Sequence, residues 1–264
     1  MESLITSRDN KYVKLAKSLS NKQLRDKEGM FIIEGYRNVH DAAKKGAKIE
    51  FILASDKCNY DLTVFKGYKM YTLAPKIFDY VSDTVTPQGV MAVCRMEDLA
   101  FTDIELDNNS LIVVCENLQD PGNAGTIIRT ADAAGAKAVI LTKGCVDLYN
   151  PKVIRSIMSS LFSVKVIRNK NIDSVFGFLK SNSIKSVAGA LCTDSNHLFD
   201  ADLMGSCAVF IGNEGNGLDK DTVKRCDVKV TIPMLGGAES LNASVAGSVM
   251  MYEFVRQNKT YIKD

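Results

Sequence analysis

Residues 111–142 read LIVVCENLQDPGNAGTIIRTADAAGAKAVILT, and this stretch decides the class of the second half of the chain. LIVVC (Leu111–Cys115) is an unbroken apolar run of strand length, the pattern of a strand buried on both faces. Pro121-Gly122 forces a turn, Asn123 is placed to cap a helix, and AGTIIRTADAAG (Ala124–Gly135) keeps helical spacing until Gly135 stops it. KAVILT (Lys137–Thr142) is the next strand. The alternation continues downstream: PKVIRSIMSSLF (Pro151–Phe162) predicts a helix with Pro at its first position, VKVI (Val164–Ile167) a strand, and NIDSVFGFLKS (Asn171–Ser181) a helix. Three more apolar runs follow, SVAGAL (Ser186–Leu191), CAVFIG (Cys207–Gly212) and VKVTIPM (Val228–Met234), and then a long helix from Leu241 to Gln257. Continuous apolar strands alternating with helices predict a parallel α/β sheet covered on both faces.

Upstream, MEDLAFTDIELDNNS (Met96–Ser110) is acid-rich and ends in turn residues, which places a linker near 97–109. Before it, helical spacing over Lys11–Lys27, Tyr36–Lys45 and Lys76–Ser82 alternates with strand-like runs at Met30–Gly35, Ile49–Ser55, Tyr68–Ala74 and Gly89–Arg95. The expectation is a small α/β domain over 1–98 and a larger one over 107–264. A chain of 264 residues suits two domains of about 100–200 residues each.

Composition narrows the function classes. Apolar residues make up 46% and charged residues 24%, ordinary globular proportions. The charge-free stretch Ser240–Tyr252 is shorter than the ~18 residues of a membrane span, and the first residues lack a signal-peptide core, so a cytoplasmic protein is expected. Seven cysteines without a CxxC pair and only two histidines, His40 and His197, point to neither disulfides nor a metal. Residues 1–100 hold 16 Lys and Arg against 13 Asp and Glu, whereas 101–264 hold 17 against 18. Within Arg8–Lys27 the cations Arg8, Lys11, Lys14 and Lys17 recur every third residue, followed by Lys22, Arg25 and Lys27. Such a stripe is either a solvated helix face or a phosphate-contacting surface.

Ligands of open parallel sheets bind beyond the carboxyl ends of the strands, and three loops there have unusual compositions. The first is ENLQDPGNAGTIIR (Glu116–Arg129), in which glycines flank Asn123 and Arg129 follows nearly two helical turns later. As structure alone, Asn123 is an N-cap and Arg129 pairs with Asp132. The second is GNEGNGL (Gly212–Leu218), neither a dinucleotide fingerprint nor a P-loop, whose three glycines leave Glu214 at the sheet edge. The third is LGGAESLNASVAG (Leu235–Gly247), where Ser240 is placed as the cap of the last helix and a run of small residues permits close backbone approach.

Together the three loops resemble the motifs of the SpoU (TrmH) family of RNA ribose methyltransferases. NAGTIIRTADAAGA is similar to the first motif, FIGNEGNGL to the second, and IPMLGGAESLNASVAGSVMMYE to the third. The front segment FIIEGYRNVHDAAKKGAKIEFILAS resembles the substrate-binding domain carried by many members, which has a ribosomal-protein-like fold. The resemblance implies a SPOUT domain with a deep trefoil knot, S-adenosyl-L-methionine as cofactor, RNA as substrate, no metal, and a homodimer. It implies catalytic roles for Asn123, Arg129, Glu214, Ser240 and Asn242, and cofactor contacts at Gly212, Ile232 and Leu241, with the strand end Ala190–Leu191 beside them. The front domain favours ribosomal over transfer RNA and gives Arg8–Lys27 weight as an RNA surface. The competing readings are a transfer RNA methyltransferase, a noncatalytic RNA-binding or ribosome-assembly factor on the same fold, and, more remotely, a nucleotide-dependent dehydrogenase.

Overall fold

A computed structural model describes residues 4–190, 192 and 195–258, which pack as two units. The first unit is residues 1–97 with Tyr149–Phe162, and the second is residues 98–148 with 163–264.

In the first unit the helix expected over Lys11–Lys27 is broken into α1 (Lys11–Ser18) and α2 (Lys22–Glu28). The Asn21 side chain caps α2 by accepting the amides of Gln23 and Leu24, so the chain turns between the two. The turn also takes Arg25 out of the cationic stripe. It is 2% exposed, and its Nη1 donates to the Leu19 and Ser20 carbonyls at 2.8 Å each. Lys14 pairs with Asp9 at 2.8 Å, Lys22 pairs with Asp26, and Arg8 and Lys17 lie over the Tyr80 ring. Strands β1 (Met30–Glu34), β2 (Ile49–Ser55), β3 (Met70–Leu73) and β4 (Val90–Arg95) form a mixed sheet in the order β1-β4-β2-β3. Helices α3 (Tyr36–Lys44) and α4 (Pro75–Val81) pack on it, and Val13, Leu19, Phe51, Leu53, Phe78 and Met91 belong to its core.

The helix expected over Pro151–Phe162 is counted with the second sheet in sequence, yet Tyr149–Phe162 belongs to the first unit. Its helix packs on β1 and its final turn on α3. The Tyr149 ring lies 4.5 Å from Phe31, and its hydroxyl donates to the Glu97 carbonyl and accepts the Glu97 amide. The helix is also shorter than predicted, Pro151–Ile157, because Met158 leaves the helical region at φ 57°.

In the second unit β5 (Leu111–Cys115), β6 (Ala138–Thr142), β7 (Lys165–Lys170), β8 (Lys185–Gly189), β9 (Asn196–His197), β10 (Cys207–Ile211) and β11 (Val228–Thr231) pair in parallel throughout. Their order is β7-β6-β5-β10-β8-β11-β9, the parallel sheet that the apolar runs predict. Strands β5, β6 and β10 are buried along their whole length. Helices α5 (Pro121–Ala133), α6 (the Pro151–Ile157 helix of the first unit), α7 (Ile172–Ser181), α8 (Lys220–Arg225) and α9 (Ala243–Asn258) complete the chain. The six-residue α8 and two-residue β9 escape sequence reading because neither is long enough for its amphipathic period to repeat. Cys94, Cys115, Cys207 and Cys226 are buried, and burial pushes the thiols of Cys94 and Cys226 up to about 12. They pack as small hydrophobes. Among the described residues no helix is long and apolar enough to cross a membrane.

Candidate active site

Pairing of β10 with both β5 and β8, and of β8 with β11, sets the three motif loops at neighbouring carboxyl ends of one sheet. The Glu116 amide donates to the Ile211 carbonyl at 2.8 Å, joining the first loop to the end of β10.

The second loop is a tight reversal. Asn213 and Gly217 exchange backbone hydrogen bonds of 2.9 Å in both directions, and Asn213 Oδ1 accepts the amides of Gly215 and Asn216. Closure requires glycine at 212, since a Cβ there would lie 2.1 Å from the Gly217 carbonyl carbon and 2.2 Å from the Leu218 nitrogen. At the tip, the Glu214 carboxylate accepts the Asp120 amide at 2.9 Å, the Gln119 amide at 3.2 Å and the Asn123 side-chain amide at 3.1 Å. Partial burial pushes its pKa up. The amides of Asp120 and Glu214, the Asn123 side chain and the Gln119 amide outweigh this and hold it below the usual carboxylate value. Asn123 and Glu214, 91 residues apart in sequence, are thus one bonded unit.

Asn123 is not the helix cap expected of it. α5 begins earlier, at Pro121, and Asp120 caps it by accepting the Asn123 amide at 2.8 Å, which frees the Asn123 side chain for Glu214. Arg129 lies on an exposed face of α5, and its side chain has no ion pair or hydrogen bond among the described residues, Asp132 included. Ser240 is likewise not the cap of the last helix. Asn242 caps α9, its Oδ1 accepting the Ser244 amide at 2.9 Å and the Ser244 hydroxyl at 2.6 Å. The Ser248 hydroxyl on α9 donates to Thr130 on α5 at 3.1 Å, one residue from Arg129.

A cavity of about 1080 Å³ opens between the second and third loops. Gly212, Glu214, Ile232, Ser240 and Leu241 line it, as does Ala190, while Asn123, Arg129 and Asn242 lie outside its lining. Leu191 lies outside the described residues. The small residues of α9 allow the close approach expected of them, since a Cβ on Gly247 would meet Ile211 at 2.3 Å, and Ala243, Ala246 and Gly247 also line the cavity. Between Pro233 and Leu241 no backbone group is hydrogen-bonded to another described residue, so that loop offers free donors and acceptors.

Sequence reading missed one supporting acid. Glu116, 6% exposed, accepts the Asp219 amide at 2.9 Å and the Thr222 hydroxyl at 2.6 Å, tying the exit of the second loop to the first. An acid following an all-apolar strand was its signal.

Comparison with known proteins gives one consistent result. The model of the SpoU rRNA Methylase family matches residues 110–252, and that of the MRM3-like substrate binding domain matches 10–92. The chain is 36% identical to the Bacillus subtilis 23S rRNA (guanosine(2553)-2′-O)-methyltransferase RlmP, over 94% of this chain and 97% of that protein. Among solved structures, an AdoMet-bound rRNA methyltransferase from Sinorhizobium meliloti matches with TM-score 0.87 and 28% identity, covering 96% of this chain and 97% of that one. The SpoU methyltransferase AviRb from Streptomyces viridochromogenes, in complex with AdoMet, matches with TM-score 0.86 and 29% identity, covering 94% and 98%.

Proposed function

Since the chain belongs to the SpoU rRNA methylase family, we propose that it methylates a ribose 2′-hydroxyl of ribosomal RNA, with S-adenosyl-L-methionine as methyl donor. The observation that carries this reading is the hydrogen bond from Asn123 to Glu214, which lines a loop-walled cavity, in a chain that aligns with its ribosomal RNA relatives along nearly its whole length.

The cavity suits the cofactor. Its volume lies just above the ~300–1,000 Å³ usual for small-molecule sites. Ile211, Ile232 and Leu241 offer apolar walls for a purine, and the free backbone of Pro233–Leu241 offers donors and acceptors for its edges. The bound cofactor supplies a methyl group already activated on a sulfonium.

The protein's share is position and electrostatics. Arg129 is free to hold an RNA phosphate, which its guanidinium matches in a bidentate fork. Glu214, ionised and fixed by four donors, orients the Asn123 amide. Asn242 uses its Oδ1 to cap α9 and keeps its Nδ2 for substrate, and Ser240 lies at the cavity wall.

Several coarser features belong to the same reading. The first unit, residues 1–97 with Tyr149–Phe162, recruits the RNA, and the protein works in the cytoplasm. The second domain carries a deep trefoil knot, which the return of the chain from β11 to α9, packed on α5 and the central β10, supports. Two copies associate through α9, where Val245 and Tyr252 are about half exposed.

The test is transfer of labelled methyl to ribosomal and transfer RNA, with digestion to nucleosides and Arg129→Ala as control. A 2′-O-methylnucleoside from ribosomal RNA is expected, and Arg129→Ala removes it while cofactor binding persists. Label only in transfer RNA would overturn the substrate, and no label in either pool, precursors included, would overturn the activity.

A further inference from the structure

Tyr36 opens α3, and two rings lie nearly parallel to its own. Tyr60 is 4.5 Å away between centroids at 10°, and His40 is 5.9 Å away at 7°. Phe65, buried, meets Tyr36 edge-on at 5.8 Å and 72°. The Tyr36 hydroxyl donates to the Asp61 carbonyl at 3.1 Å, and its amide donates to Gln88 Oε1 at 2.9 Å. The middle ring is therefore held by its edge, its hydroxyl and its backbone. The outer ring is not covered: Tyr60 is 44% exposed.

We propose that Tyr60, backed by Tyr36, is a stacking platform for an unpaired nucleobase of the RNA substrate. The proposal rests on the RNA-methylation reading and adds to it a contact outside the methyl-transfer site. Unpaired bases are bound by aromatic side chains because every base presents a π-face, whatever its sequence. A ring already fixed from beneath loses little freedom when a base lands on it. The same loop supplies the other groups such a ligand needs. Lys57 is exposed, with no ion partner among the described residues, and suits a phosphate, while exposed Asn59 offers an amide to a base edge. The alternative is that the rings only anchor the loop at Lys57–Leu62 to α3. In that case Tyr60 contributes to stability and not to RNA.

The chain has nine tyrosines and no tryptophan, so its ultraviolet emission reports tyrosines alone. The full-length protein is titrated with a short unstructured oligoribonucleotide, and methyl transfer is followed against ribosomal RNA concentration. Tyr60→Ala is expected to raise the oligonucleotide Kd about five- to hundred-fold and to lose most of the quench. It should also raise KM for RNA while leaving kcat, cofactor affinity and Tm unchanged. Tyr60→Phe, which keeps the ring, should match the wild type. A Tyr60→Ala protein with wild-type Kd and KM would overturn the platform, as would an equal loss in Tyr60→Phe. The two readings fail separately. Methyl transfer with KM indifferent to Tyr60 sinks the platform alone, and Tyr60-dependent oligonucleotide binding without methyl transfer sinks the methylation reading alone.

Discussion

Substituting Gly212 by alanine tests whether the second loop is closed as tightly as its geometry states. The added methyl would lie 2.1, 2.2 and 2.4 Å from the Gly217 carbonyl carbon, the Leu218 nitrogen and the Gly217 oxygen. Ordinary contact begins at 3.4 Å, so Gly217 and Leu218 must retreat by more than an ångström. All three atoms are backbone, and no rotamer change relieves them. The movement breaks the paired Asn213–Gly217 hydrogen bonds, each worth about 0.5–1.5 kcal/mol net. Residual overpacking adds about 1–3 kcal/mol, for a total of about 2–6 kcal/mol. At roughly 2–4 °C per kcal/mol for a domain of this size, Tm should fall by about 5–20 °C. If the loop instead opens locally, Tm holds, and affinity for S-adenosylmethionine by calorimetry falls. Gly236→Ala, with no atom within 4 Å of the new methyl, is the steric control for Tm. A Gly212→Ala protein with both wild-type Tm and wild-type cofactor affinity would refute the argument.

Further outcomes follow from the same contacts. Glu116→Gln should cost about 1–3 kcal/mol in chemical denaturation, since only one of the two oxygens that accept these donors is kept; combining it with Thr222→Val should show coupling of about 0.5–3 kcal/mol, and strict additivity would exclude the clamp. The Glu214 pKa is lowered in the folded state, so its contribution is complete above the ordinary carboxylate pKa and is lost as pH falls through the folded value. The acid limb of the stability profile should therefore flatten in Glu214→Gln; an unchanged limb would show that its hydrogen bonds do not persist in solution. Arg25→Met should destabilise by about 1–3 kcal/mol through the orphaned Leu19 and Ser20 carbonyls, with no change in the salt dependence of RNA binding. Reversing Lys11 and Lys27, both exposed, should flatten that dependence, and equal effects from Arg25 would restore the continuous stripe.

The parallel sheet was legible because strands such as Leu111–Cys115 and Cys207–Ile211 are apolar throughout, and only burial on both faces explains that. The site was legible as composition, three glycine-rich loops at strand ends, but its bonding was not. Asn123 and Ser240 are both well suited to N-caps, and local sequence cannot tell which of several capping residues the backbone uses. Asp120 and Asn242 take those places because the helices start at Pro121 and Ala243. The long cationic helix failed for a related reason: a three-residue recurrence of Lys and Arg says nothing about a break at Asn21, and Arg25 is inward-facing only once that break exists. The Glu116 clamp joins residues 103 and 106 apart, a separation at which no local pattern operates.

Because Tyr149–Phe162 completes the first unit, the polypeptide passes between the units at 97/98, 148/149 and 162/163. The front module is therefore not a cassette. A cut in the 98–107 connection releases residues 1–98 without Tyr149–Phe162, the segment whose helix packs on β1 and whose final turn packs on α3. Grafting this module onto another catalytic domain means moving the internal segment Tyr149–Phe162 along with it, so the two parts must be engineered together.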